Sequence, residues 1–270
     1  MKERLKKEVL ESEMEQLHNS FVANGACHID NFLDDATIKQ IKDDMLQAGK
    51  TELQPGEAIL PNFRKSGVNA TTYNYTVHRT DIHKNQKYID IYMNRVNELL
   101  EPITGTKVPT TDLDGLQLFT KSFTKRGWYD LHAEPINKYG LYAFMHFLST
   151  EDGGELIFPS KQGTEEFLEK HPNQKERWPE NIKLVEPKGY PIRFLDDISI
   201  KPVYNKCVVF AIGSAHYVTP LNGEVKEDSR QVVTGWPYAT KDLIESLNQN
   251  CNFNHYFDSE EYKKPIEQCH

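Results

Sequence analysis

The chain lacks any long hydrophobic run. No apolar stretch approaches the roughly 18 residues that a membrane-spanning helix requires, so no membrane partner is expected. Basic charge is in short supply as well: 32 Lys and Arg face 40 Asp and Glu, a net charge of -8. Phosphate neutralisation needs a concentrated basic surface, so nucleic acid is not an expected partner. Cysteine is sparse. The four residues Cys27, Cys207, Cys251 and Cys269 show no metal-type pairing, and reduced thiols in a cytoplasmic protein are the simplest reading. The N-terminus, Met1-Lys-Glu-Arg-Leu-Lys-Lys, has no apolar core segment and does not read as a secretory signal, so the sequons at Asn69 and Asn74 are expected to go unused. Internal repeats and low-complexity tracts are absent.

What is present is globular: 270 residues, 38% hydrophobic and 27% charged, enough to bury a substantial core. Leu5, Val9, Leu10, Met14, Leu17, Phe21 and Val22 follow helical spacing. A short strand is expected over 26–33, then a helix capped by Asp34-Asp35 with Ile38, Ile41 and Met45 inward. The span 53–80 is polar and aperiodic, as functional loops often are. Within it, Thr72-Tyr73-Asn74-Tyr75 and His78-Arg79 are candidates for substrate contacts. A further helix is expected over 83–100, with Tyr88, Ile91, Tyr92, Val96 and Leu99 on one face. From about Gly115 to Trp236 the periodicity is that of strands, at 116–119, 139–148, 155–158, 203–212 and 231–236, interrupted by a charged insertion at about 159–197. Helices followed by strands predict a mainly β architecture, a sandwich or barrel with flanking helices. One domain is expected over 1–270: helices and polar loop to 109, a β core over 110–240, and a helix and tail over 241–270.

Four features follow one another in the strand region. Gly127-Trp128-Tyr129-Asp130-Leu131-His132-Ala133-Glu134-Pro135 sets a histidine and a carboxylate two residues apart, which on a strand is one face. Gly153-Gly154-Glu155-Leu156-Ile157-Phe158-Pro159 reads as the turn and returning strand of a hairpin. His216 stands at the end of a continuous apolar strand running from Lys206. Arg230 opens the apolar strand to Trp236, and a charge starting a buried strand calls for a partner. His146, inside Tyr142-Ala143-Phe144-Met145-His146-Phe147, reads as a satisfied core histidine.

In this order the features resemble those of the iron(II)- and 2-oxoglutarate-dependent oxygenases, in the prolyl-hydroxylase-like branch, over roughly residues 110–240. The resemblance implies a double-stranded β-helix core (jelly roll, cupin-like). It implies ferrous iron held by His132, Glu134 and His216, the two-histidine, one-carboxylate set of non-haem oxygenases. It also implies 2-oxoglutarate and O2 as co-substrates, succinate and CO2 as co-products, and Arg230 on the distal carboxylate of 2-oxoglutarate, where a planar guanidinium suits a planar acceptor. Glu134 stands where the branch usually has Asp; Asp130, two residues before His132, is the alternative carboxylate. No hydroxyl sits two residues after Arg230, and Thr234 shares the alternating face. Phe123, Trp128 and Tyr129 precede the first ligand, and one of them contacts 2-oxoglutarate or substrate if packing does not account for all three. Retention of Glu134 favours hydroxylation or another oxidation over halogenation. The expected activity is a dioxygenase hydroxylating an unactivated C–H of a small molecule such as an amino acid or natural-product intermediate. A peptide or protein side chain is the alternative substrate, and a non-catalytic β-helix domain binding a partner is the other class.

Overall fold

The computed structural model describes residues 26–47, 51–53, 77–81, 86–104, 116–123, 129–132, 142–172, 196–211, 214–222 and 231–237. Eleven strands lie among them: β1 Ala26–Ile29, β2 Thr51–Leu53, β3 Val77–Asp81, β4 Leu116–Phe123, β5 Tyr129–His132, β6 Tyr142–Phe147, β7 Leu156–Phe158, β8 Ile198–Ile200, β9 Cys207–Ala211, β10 His216–Val218 and β11 Val232–Pro237. Three helices join them: α1 Asp35–Gln47, α2 Gln86–Thr104 and α3 Lys161–Lys170. The strands form a seven-stranded sheet, ordered β1-β9-β6-β11-β4-β3-β2, and a four-stranded sheet, ordered β5-β10-β7-β8. Every strand pairing among the described residues is antiparallel, and the architecture is a double-stranded β-helix. The most apolar runs, β6, β9 and β11, occupy the middle of the large sheet, where both faces are covered.

One core fills the space between the sheets. Ala143 and Phe147 of β6, Val208 and Phe210 of β9, and Val232 of β11 meet Leu156 and Phe158 of β7, Ile200 of β8 and Val218 of β10. The opposite face of the large sheet is closed by α2, whose Tyr92 ring stacks on Phe144 at 5.5 Å and 11°. The buried residues of α2 are Tyr88, Ile89, Tyr92, Met93, Val96 and Asn97, a stripe at helical spacing. Ile91, expected on that stripe, is half-buried, because 100° per residue carries it off the arc shared by Tyr88 and Tyr92. Asp34 caps α1 as expected: its carboxylate accepts from the Thr37 amide at 2.9 Å and the Thr37 hydroxyl at 2.7 Å.

A buried polar knot ties the segment between β1 and α1, α2, β6 and the turn before β9 together. His146 is fully buried, with Nε2 3.2 Å from the Asn205 Oδ1 and Nδ1 2.9 Å from the Tyr92 hydroxyl. A carboxamide oxygen can only accept, so Nε2 carries the proton and Nδ1 accepts from Tyr92. Asn205 adopts φ 62°, a left-handed conformation that Asn tolerates better than most residues. Its side chain also receives the Leu33 amide at 3.0 Å and donates to the Leu33 carbonyl at 2.6 Å. The reading of His146 as a satisfied core residue holds. Asn205→Ala should therefore lower unfolding free energy by about 2 kcal/mol, from orphaned buried partners plus an unfavourable φ, measurable as a shifted urea midpoint; an unshifted midpoint would contradict this account.

Several expectations are corrected. The apolar run expected to continue from 203 to His216 is broken: 203–206 form a turn, β9 ends at Ala211 in the large sheet, and β10 starts at His216 in the small one. Apolar character is the same in either sheet, so hydropathy alone does not reveal the crossing. β8 was not anticipated, since three residues with an exposed middle, Ile198–Ile200, carry too little pattern. The insertion opens with α3, whose Phe167 and Leu168 pack on Leu131, Ala215 and Tyr217, so this part braces the small sheet. Within the polar span, 77–81 is a strand paired with β2 and β4; His78 and Arg79 lie in it, while Thr72–Tyr75 fall outside the described residues. The helix expected before Gly25 also falls outside them.

Candidate metal centre

β5 and β10 are short, and their pairing brings two histidines together. His132 ends β5, His216 begins β10, and the two are direct cross-strand partners. Opposed residues in an antiparallel pair project to the same face, and the imidazole centroids lie 4.3 Å apart at 54°. Two ring nitrogens each about 2 Å from a shared divalent ion need this kind of proximity and tilt. His216 is buried and His132 half-buried, so the pair lies where the core meets a more open side.

The register slips between the two pairs of this ladder: His216 faces His132 and Val218 faces Tyr129. β5 therefore holds one extra residue, a bulge. Asp130 lies between the two registered pairs, in the irregular stretch of β5.

His216 is held from three sides. Its Nδ1 donates to the Ser214 carbonyl at 2.9 Å; a carbonyl only accepts, which fixes the proton on Nδ1 and makes Nε2 the unprotonated nitrogen, the one able to ligate a metal. The Phe210 ring meets it edge-on with centroids 4.9 Å apart, and the Phe158 ring lies at 5.8 Å. These rings restrict both water and ring rotation around the imidazole.

Thr234 lies in the middle of β11, opposite Met145 of β6 and Phe119 of β4. By alternation it shares the face of Val232, which points into the inter-sheet core. It is 3% exposed, and its hydroxyl has no hydrogen-bond partner among the described residues; the same is true of the Ser214 hydroxyl and the Gln231 side-chain oxygen. Buried polar atoms without partners are uncommon in folded proteins, and a hydroxyl turned to the interior fits a bound polar ligand. Phe123 is the last residue of β4, paired with Val77. Glu134 and Arg230 lie outside the described residues. Among the described residues no group of three His, Cys, Asp or Glu forms a metal site; the two imidazoles are the part that is in place. Two neutral imidazoles with an outside carboxylate fit ferrous iron by donor type.

Sequence reasoning missed Ser214, whose carbonyl orients His216, although its position two residues upstream was a usable signal. It also missed the contact of Thr219 with Glu155, which joins residues 64 apart and has no local signature.

No family model matches the chain, and no curated protein matches it in sequence. Solved structures do resemble it. A prolyl hydroxylase from Trichoplax adhaerens, in complex with a hypoxia inducible factor oxygen degradation domain peptide fragment, superposes with a TM-score of 0.54 at 14% identity, covering 88% of this chain and 93% of that one. An oxidoreductase of the 2OG-Fe(II) oxygenase family from Burkholderia pseudomallei gives 0.53 at 10% identity, covering 83% and 89%. The non-haem alpha ketoglutarate dependent epimerase SnoN from nogalamycin biosynthesis gives 0.51 at 11%, covering 83% and 81%. At such identities the likeness is one of fold: this chain has the double-stranded β-helix fold of the prolyl hydroxylases and other 2OG-Fe(II) oxygenases.

Proposed function

We propose that the protein is an iron(II)- and 2-oxoglutarate-dependent dioxygenase that hydroxylates an unactivated C–H of a small molecule. The observation that carries the reading is the His132–His216 pair, with His216 fixed in the tautomer that offers Nε2. Glu134, two residues after His132 in the chain, supplies the carboxylate. Ferrous iron and 2-oxoglutarate together provide oxidative decarboxylation to succinate and CO2 coupled to oxidation of the substrate. The protein's part is to orient and to exclude water. The Ser214 carbonyl holds the His216 ring plane, and Phe158 and Phe210 keep one side of it dry. The Thr234 hydroxyl, buried on β11 and without a partner among the described residues, would donate to a carboxylate oxygen of 2-oxoglutarate. Arg230, one residue before Gln231 in the chain, would hold the distal carboxylate, to which its charge and planar donors are suited. Phe123 contributes an apolar contact to the co-substrate.

Two neighbours bear on the substrate. The likeness to SnoN, named for nogalamycin biosynthesis, supports a small molecule; the likeness to a peptide-bound prolyl hydroxylase favours a peptide side chain as the second reading. The test is succinate formation from 2-oxoglutarate with ferrous iron, against free amino acids and natural-product scaffolds in one set and proline-containing peptides in the other. Turnover stimulated by the first set supports the proposal. Stimulation by peptides alone would replace it with the second reading, and a chain that binds no iron and forms no succinate would be a partner-binding domain. Arg230→Ala is expected to raise the 2-oxoglutarate KM by more than about tenfold, the scale of a lost charge-assisted pair of 1.5–3 kcal/mol, with iron affinity unchanged.

A further inference from the structure

β10 is only three residues long, and its ladder to β5 is irregular. Its pairing to β7 comprises Tyr217 with Ile157 and Val218 with Leu156. So short a strand is weakly pinned, and a slip of one residue would turn His216 to the opposite face. The chain beyond Val218 is held more firmly than the strand itself. Thr219 N donates to Glu155 O at 3.0 Å, Gly154 N to Pro220 O at 2.9 Å, and Asn222 N to Asp152 O at 2.8 Å. The Thr219 hydroxyl works in both directions: it accepts from the Glu155 amide at 2.9 Å and donates to the Glu155 carboxylate at 3.0 Å. The Gly153-Gly154 turn makes this approach possible, with φ 78° and 67°. A Cβ on Gly153 would come within 2.5 Å of the Pro220 carbonyl oxygen.

Resting on the reading of His216 as a metal ligand, we infer that Thr219 and Glu155 are positioning residues for it: their two-way hydroxyl bond locks the register of β10 and so fixes where the His216 imidazole stands. Glu155 and Thr219 lie at positions that alternate with Leu156 and Val218 of the inter-sheet core, on the side of the small sheet away from the histidine pair. The latch acts through the backbone of three residues.

The test uses the full chain with Thr219→Val, which keeps the shape and removes both hydroxyl bonds, Thr219→Ser, which restores them, and Glu155→Ala, which removes the acceptor alone. Cobalt(II) serves as the metal probe, read by affinity and by its ligand-field absorption. The imidazole 15N resonances of His216 are read in metal-free protein. Thr219→Val is expected to weaken cobalt binding by about tenfold or more, the scale of losing an outer support of a ligand. It is also expected to move the absorption bands and reduce the Nδ1-protonated population of His216. Glu155→Ala should do the same to a smaller degree, and Thr219→Ser should return all three to wild type. The inference is overturned if Thr219→Val lowers the melting temperature while affinity, bands and tautomer stay at wild-type values. If His216→Ala binds cobalt as tightly as wild type, the metal reading fails by itself, and the metal-free tautomer comparison still decides the latch.

Discussion

His216→Ala is expected to reduce 2-oxoglutarate-dependent succinate formation below about one per cent of wild type and to abolish stoichiometric ferrous-ion binding. Losing even an outer-shell partner of a metal ligand costs about 10–100-fold, and here the ligand itself goes. His132→Ala should behave alike, because the two imidazoles are cross-strand partners 4.3 Å apart and one nitrogen cannot hold the ion in place of two. The fold should survive in both, since the inter-sheet core consists of other residues; far-UV circular dichroism and a cooperative melt check this. If the pair served only as packing, the variants would lose stability, chiefly through the Phe210 and Phe158 contacts of His216, and keep their metal. Folded His216→Ala protein that still binds one ferrous ion tightly would end the proposal.

The second large effect is on stability against pH, and it belongs to His146. Burial pushes its imidazole down from the usual 6.5 to about 4, against the smaller opposing influence of its bond to Asn205. The titratable groups facing it are Tyr92, bonded to Nδ1, and Cys207, its register partner on β9. Burial raises both well above their ordinary values, so both stay neutral in acid. Between about 4 and 6.5 the unfolded chain binds a proton at this position and the folded chain does not. Stability therefore rises with pH across that window and is lost as pH falls through it. Holding the imidazole at about 4 in place of 6.5 corresponds to roughly 3 to 4 kcal/mol, each tenfold change in proton affinity being about 1.4 kcal/mol. Urea unfolding of the metal-free protein from pH 7 to pH 4 should show this loss. His146→Leu should be less stable at pH 7, having taken the acceptor from the buried Tyr92 hydroxyl and one of three bonds from the Asn205 side chain, yet its stability should fall less steeply with acid, by about one proton. Parallel pH slopes in the two proteins would assign the acid sensitivity elsewhere.

The parts of the fold legible in the sequence were those encoded over a few residues. The Asp34 cap, the stripe on α2 and the apolar strands β6 and β11 each follow from local spacing. The small-sheet strands were harder: β8 and β10 have three residues each, shorter than the pattern that would announce them. The site divides in the same way. His132 and His216 were legible as candidates because their motifs stand in order along the chain, whereas the bulge in β5 and the latch at Thr219 were not.

The sequence by itself determined which residue types are available and in what order: two histidines, a Gly-Gly-Glu turn, and an apolar strand bearing Thr234. Only the tertiary structure decided that His132 and His216 face each other, that Asp130 lies in an irregular stretch of β5, and that the Ser214 carbonyl fixes the proton of His216 on Nδ1. The reason is physical. Periodicity and capping are set by neighbours in the chain, but register between strands distant in sequence is set by the burial of both sheet faces at once. That burial turns His216 toward His132 and places α3 behind them.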